Sequence, residues 1–349
     1  MRTRFCRALL ASLLLILLIA PPPMWAWGGT GHEAVAYVAW QKMTPATRRR
    51  ATALLMLVPT LHNSDGTKSI SGYAEWVKDL KPGLSKSKQQ MYLFMRAATW
   101  ADTIKHEWLK DSDTPPPDIT EDVNLGYTDT ASHGYWHFVD NGFASDASTV
   151  PDTPVPNAAT QIVALRADIA SDEDDLLKSY DLVWLEHLVG DIHQPLHGAV
   201  RYFDAKGDQG GNLVKVKLPT AMKKAFEGTQ STSAPSELHA FWDNLPGEGQ
   251  PWNVLDQAVI YAQALPTAPA TKVKDIDPAN WTADSFALAK KDVYKSPIGA
   301  GLQPPAEVTP PATSYLVTTV YYTRAKKDAQ RQIALAGARL AKLLNENLK

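Results

Sequence analysis

Histidine and aspartate recur at helical spacing in the stretch Leu185-Glu-His-Leu-Val-Gly-Asp-Ile-His-Gln-Pro-Leu-His197. His187 and Asp191 stand four residues apart, so a helix through them projects both side chains from one face. Imidazole nitrogen and carboxylate oxygen are metal-ligand types, and two of them would then point the same way. His197 follows six residues after Asp191, a spacing that turns away from that face on a straight helix. Pro195 intervenes and clashes with the carbonyl of Asp191, which predicts a kink or helix end that swings His197 toward the first pair. On spacing alone, three ligands converging on one metal and three hydrogen-bonded core residues both stay open. A second pair, His239 and Asp243, repeats the four-residue offset in Glu237-Leu-His-Ala-Phe-Trp-Asp243, and a surface helix pair fits it as well as a site does. Asp102 lies beside Trp100 and small residues, where a partly buried carboxylate needs a partner such as a metal.

These residues must be held by helices. Periodicity and capping signals predict helices over 33–43, 45–58, 73–80, 88–108, 157–171, 174–194, 235–245, 252–264, 283–295 and 313–348. Thr44 is the expected cap of the second, with Pro45 at its first position. Ile333, Leu335, Ala338, Leu340 and Leu344 give the last helix a packing face. Only 135–139 and 213–218 read as strands, and the loops 114–118, 150–156 and 303–311 are proline-rich. No repeat or composition break divides the chain. A mainly α single domain over 27–349, with a minor short β element, is expected.

Arg2, Arg4 and Arg7 precede an apolar run over 8–20, three prolines and the small residue Ala26. That pattern is a secretory signal peptide over 1–26, with an apolar core too short for a membrane span. Cleavage after Ala26 is the natural expectation, although Met24 is a poor small residue at the third position before the cut. Cys6, the single cysteine, leaves with the signal, so the exported protein has no disulfide. Hydrophobic content of 44% is enough to bury a sizeable core. Without its three arginines the chain keeps 32 basic against 37 acidic residues. That balance argues against nucleic-acid binding by phosphate contacts alone, so a nucleic-acid enzyme of this charge needs metal cations to face phosphates. The short basic runs at 48–50 and 86–88 read as solvated helix faces. Asn280-Trp-Thr282 is a glycosylation sequon.

Six pieces carry a resemblance: Trp27-Gly-Gly-Thr-Gly-His32, Trp100-Ala-Asp102, His137-Phe-Val-Asp140, His187-Leu-Val-Gly-Asp191 with Gln194-Pro-Leu-His197, Gly210-Gly-Asn212 and Leu238-His-Ala-Phe-Trp-Asp243. Each is weak alone. Together, in this order, they resemble the secreted zinc-dependent single-strand-specific nucleases, the type I nucleases or 3′-nucleotidase/nucleases, related to the zinc-dependent phospholipases C. Beyond Asp243 the resemblance rests on helical character.

The resemblance implies the helical fold of that family and three Zn²⁺. Asp102, His137, His187 and Asp191 are implied to hold the first ion. Trp27, through its α-amine and carbonyl after cleavage, would hold a close neighbour with His32 and the same Asp191 as bridge. His197, His239 and Asp243 would hold the last. This uses five of the nine histidines and leaves His62, His106, His133 and His193 as surface or supporting residues. The implied reaction is metal-assisted hydrolysis of single-stranded DNA and RNA to 5′-phosphate products, with 3′-nucleotidase activity on nucleotides. Asp102 would also orient water. Lys105 stands where family members commonly carry an arginine, so a point charge replaces a bidentate fork at the phosphate. Phe138 fits the base-stacking aromatic and Asp140 the acceptor for the base edge. The segment 203–212, from Phe203 to Asn212, forms another wall of that pocket, with Gly210 and Gly211 letting the backbone approach. A secreted or periplasmic monomer without a stable membrane anchor is implied. Two other classes stay open: a zinc-dependent phospholipase C, whose last helix pair tends to end in glutamate where this chain has Asp243, and a non-enzymatic secreted zinc-binding helical protein.

Overall fold

The computed structural model describes residues 27–62, 69–107, 126–128, 131–144, 146–203, 206–226, 234–247, 255–299 and 314–348. The expected signal peptide, the loops 114–118 and 303–311, the start of the helix expected at 252 and the side chain of His106 lie outside the described residues.

The helix Asp175–Asp191 is enclosed on every side: all residues from Lys178 to Asp191 are buried, charged ones included. Such a helix belongs inside a bundle. Asp174 caps it, accepting from the Leu176 N–H at 2.8 Å, and Asp175 adds charge that suits the helix N-terminus. Around it pack the helices Gly29–Lys42, Pro45–Leu55, Trp100–Glu107, Ala158–Ala170 and the long C-terminal helix Thr319–Asn347. The C-terminal helix buries Ile333, Ala336, Leu340, Leu343 and Leu344 and lies mainly along Gly29–Lys42. The two backbones meet closely at Gly337, where a Cβ would stand 2.6 Å from the Val35 carbonyl oxygen. Among the described residues no helix is long and apolar enough to cross a membrane.

The mainly α expectation holds, with local corrections. The helix expected over 88–108 is two, Lys86–Ala97 and Trp100–Glu107. The break comes at Thr99, whose N–H and hydroxyl both turn back to the Arg96 carbonyl, at 3.1 and 2.9 Å. The strand expected over 135–139 is instead a 3₁₀ turn, Gly134–His137, entered through His133 at φ 46°. Its aromatic residues mimic strand composition, but Tyr135 and Trp136 are both buried instead of alternating between faces. The strand expected over 213–218 shortens to Val216–Lys217, parallel to Tyr315–Leu316. A small sheet that sequence periodicity does not signal joins Gly142–Ala144, Val200–Phe203 and Lys206–Gly207. The helix expected from 283 starts at Pro278, capped by Asp277, and runs into a π turn over Ala289–Val293.

Candidate metal centre

The structure gathers buried histidines and aspartates into three clusters, each able to hold a cation: His32 with His187 and Asp191; Asp102 with His137 and His187; and His197 with His239 and Asp243. His32 comes from Gly29–Lys42, Asp102 from Trp100–Glu107 and His137 from the 3₁₀ turn. His187 and Asp191 occupy the last turns of the central helix, and His239 and Asp243 lie on Leu238–Asn244. None of these eight residues is more than 2% exposed.

The central helix ends at Asp191 instead of kinking through Pro195. The Asp191 carbonyl, which Pro195 cannot use, accepts from the Gln194 N–H at 2.8 Å, and the chain turns over Ile192–Pro195. That turn carries His197 away from His187 and toward His239, with the two Nε2 atoms 3.2 Å apart. His187, Asp191 and His197 therefore do not converge on one point.

Asp191 faces two ways. Its Oδ2 lies 2.8 Å from His137 Nδ1 and 3.2 Å from His187 Nε2, whereas Oδ1 lies 3.3 Å from His32 Nε2. Asp102 Oδ1 closes the first group at 3.5 Å from His187 Nε2. The His32 and His187 rings stack at 3.9 Å, an approach permitted by Gly190, on which a Cβ would stand 2.8 Å from His32 Nδ1.

The clusters fit cations and leave few other partners. His187 Nδ1 donates to the Ala98 carbonyl at 2.8 Å, His197 Nδ1 to that of His137 at 2.7 Å and His239 Nδ1 to that of Gly210 at 2.7 Å. Each bond fixes its ring so that Nε2 points into a cluster. Both oxygens of Asp102, Oδ1 of Asp191, both nitrogens of His32 and Nε2 of His137 are buried without a hydrogen bond. Leaving a buried polar group unsatisfied costs about 1–3 kcal/mol. Cations at the clusters would partner the carboxylate oxygens and one nitrogen of each ring.

The electrostatics agree. Burial, reinforced by the Lys105 charge, pushes His137 down to about 3, and burial pushes His239 down to about 4, so both rings are neutral and ready to ligate. Burial opposes the charge of Asp191, yet His187 and the surrounding histidine hydrogen bonds hold its carboxyl well below the usual range. Burial would also lower His187, but Asp191 and Asp102 lift it to about 10. The two carboxylates thus demand positive charge at the first cluster. Asp243 is pushed well above the carboxylate range by burial, against the hydrogen bond from Gln194, so an incoming cation displaces its proton.

Beside the clusters Lys105 Nζ stands 5.0 Å over the ring of the buried Phe138, which packs on His197 at 4.6 Å. Asp140, at φ 54°, is half-buried; its charge adds to burial in raising the Tyr202 phenol on the neighbouring strand. Phe203 ends that strand half-buried, and Asn212 donates its amide to the Gln209 carbonyl at 2.6 Å. Gly210, at φ +58°, brings backbone against the third cluster: a Cβ there would stand 2.6 Å from the Leu196 carbonyl oxygen. Trp27 is wholly buried, and the following Gly28 N–H donates to the Asp243 carbonyl at 2.9 Å.

The remaining histidines differ among themselves. His62 is exposed, His133 stacks on Trp136 at 3.8 Å, and His193 is fully buried. Sequence reasoning missed Gln194 as a supporting group: its Nε2 donates to Asp243 Oδ1 at 2.7 Å while its Oε1 accepts from the Leu196 N–H at 2.6 Å. It also missed Glu33, buried beside His32 with Arg96 at 3.3 Å, which burial raises to about 7. Glu33 follows a candidate ligand directly, and no periodicity distinguishes it from a solvated helix carboxylate.

Residues 27–349 match the S1/P1 nuclease family. The chain belongs to that family. It is a hydrolytic nuclease, a phosphodiesterase. Nuclease P1 of Penicillium citrinum is 24% identical over 335 residues, covering 92% of this chain and 97% of the relative. Nuclease S1 of Aspergillus oryzae is 23% identical over 343 residues, covering 92% and 91%. Endonuclease 2 of Arabidopsis thaliana is 26% identical over 342 residues, covering 94% and 93%. A phosphodiesterase needs charge stabilisation at phosphorus, and the three clusters are where this acidic family member can concentrate it.

Proposed function

We propose that the chain is an exported, single-strand-specific endonuclease that carries three Zn²⁺, cuts DNA and RNA to 5′-phosphate products and acts as a 3′-nucleotidase on nucleotides. The observation that carries this reading is Asp191, which turns one oxygen to His32 and the other to His137 and His187. Asp102, His137, His187 and Asp191 would hold the first ion; His32, Asp191 and the amine and carbonyl of Trp27 the second; His197, His239 and Asp243 the third. When bound, the zinc supplies Lewis-acid charge and lowers the pKa of water to about 7.

The chain's own residues do the rest. Phe138 stacks an unpaired base, worth about 1–3 kcal/mol per base and tolerant of sequence. Stacking of this kind needs a base free of a duplex, which gives the single-strand preference. Asp140 accepts from the base edge, and Phe203 and Asn212 wall the pocket. A carboxylate oxygen of Asp102 orients the attacking water, and the Lys105 ammonium faces the phosphate. Residues 1–26 are the signal peptide and 27–349 one nuclease domain, a monomer in the periplasm or medium. The family match begins at Trp27, which supports cleavage after Ala26.

The test is metal analysis of the processed protein paired with hydrolysis of single-stranded DNA. Three zinc ions per chain are expected, and complete chelation should abolish cleavage and lower the melting temperature, because buried ligands lose their partner. An unchanged melting temperature after zinc removal, or turnover of phosphatidylcholine in place of DNA, overturns the reading. For Lys105→Ala the expected result is a fall in kcat on single-stranded DNA of about 10²-fold. An intact kcat makes Lys105 structural only.

A further inference from the structure

The turn between Asp191 and His197 is gripped from behind by side chains of two other helices. Ser285 Oγ, on Pro278–Leu288, donates to the Ile192 carbonyl at 2.6 Å. Gln332 Nε2, on the C-terminal helix, donates to the His193 carbonyl at 2.9 Å and approaches Ser285 Oγ at 3.3 Å. Arg339 Nη1, two turns further along, donates to His193 Nε2 at 2.9 Å, while His193 Nδ1 donates to the Val189 carbonyl at 2.8 Å. Arg339 is itself fixed by the Lys272 carbonyl at 3.1 Å and by the Trp281 ring, 5.2 Å from its guanidinium carbon. All four side chains are buried, and Ser285, His193 and Arg339 have no exposed surface.

Carbonyls past the last turn of a helix have no partner within it and commonly turn to water. Here two of them, and the ring between them, are satisfied by side chains from distant sequence. The conformation of residues 192–194 is therefore held by tertiary contacts in addition to its own turn hydrogen bonds. Those residues lie between Asp191, which faces the two adjoining clusters, and His197, and the last of them, Gln194, holds Asp243. A shift of the turn moves the third cluster relative to the other two.

We infer that Ser285, Gln332 and Arg339, acting through His193, are positioning residues that set the third metal site in register with the pair at Asp191. The inference rests on the three-zinc reading above. None of the three touches a proposed ligand or the substrate, so their effect is on metal geometry.

The test uses the full processed chain loaded with zinc, and in parallel with Co²⁺, in the variants Gln332→Leu, Arg339→Met and Arg339→Lys. Thr282→Ala is the control. Thr282 is buried on the same helix as Ser285 and donates only to the Pro278 carbonyl, at 3.0 Å, away from the turn. Against a competing chelator, Gln332→Leu and Arg339→Met should bind one of three metals about 10–100-fold more weakly. The Co²⁺ absorption of that site should change, and kcat should fall with it. Arg339→Lys, which keeps a donor for His193, should recover part of both. Thr282→Ala should keep all three metals even if its melting temperature falls. Three metals held with wild-type affinity and an unchanged Co²⁺ spectrum in both variants overturn this inference alone. Loss of the same metal in Thr282→Ala also overturns it, since general destabilisation then explains the effect. Fewer than three metals in the wild-type chain overturn the three-zinc reading and this inference together.

Discussion

Asp191→Asn is expected to reduce the zinc content from three ions per chain to one and to lower kcat on single-stranded DNA by on the order of 10³. The substitution is nearly isosteric, so packing around a side chain with no exposed surface is preserved. What changes is charge and lone pairs. An amide offers one acceptor oxygen where Asp191 offers two, to His32 on one side and to His137 and His187 on the other. Its NH₂ must point at one of those groups, where it repels a cation. The anion that holds His187 at about 10 is also lost, leaving Asp102 alone to attract positive charge. His197, His239 and Asp243 do not use Asp191 and should keep their ion. Metal analysis and steady-state kinetics check this directly; retention of three ions, or a kcat within about tenfold of wild type, would show that Asp191 is not a bridge.

A chain that begins one residue before Trp27 is expected to lose one zinc and most of its activity. A free α-amine titrates near about 7.7 to 8.0, so a metal can displace its proton, whereas a peptide nitrogen is not a comparable ligand. The main chain here has no slack to compensate. Trp27 is wholly buried, Gly28 is tied to the Asp243 carbonyl at 2.9 Å, and a Cβ on Gly31 would stand 2.6 Å from Trp27 Cβ. Accurate processing would then be part of building the site. Equal zinc content and kcat in extended and correctly processed proteins would sink this idea.

The central features were legible because they depend on local chemistry. The four-residue offsets of His187 with Asp191 and His239 with Asp243 are properties of a helix, and both pairs do share a face within a cluster. Pro195 announces that the central helix must end nearby, although the stop at Asp191 comes before the expected 194. Other features depend on partners far along the chain. The break at Thr99 frees the Ala98 carbonyl for His187, and nothing local in 88–108 announces it. The aromatic residues within 135–139 have strand composition, yet they fill a buried turn. Gln194 was visible inside the motif, yet its bond to Asp243 spans 49 residues and needs the fold to be seen.

Gly190 links the packing of the helices to the inorganic geometry of the centre. A glycine inside a helix costs about 0.5–1 kcal/mol relative to alanine. Here its missing side chain is the space that the His32 ring occupies, 2.8 Å from where a Cβ would be. His32 belongs to the first helix and Asp191 to the central one, so the spacing of the His32 cluster and its neighbour at Asp102 depends on how closely those helices cross. The bundle acts as a caliper: a change in the distance between these two helices alters the approach of His32 to His187 and Asp191.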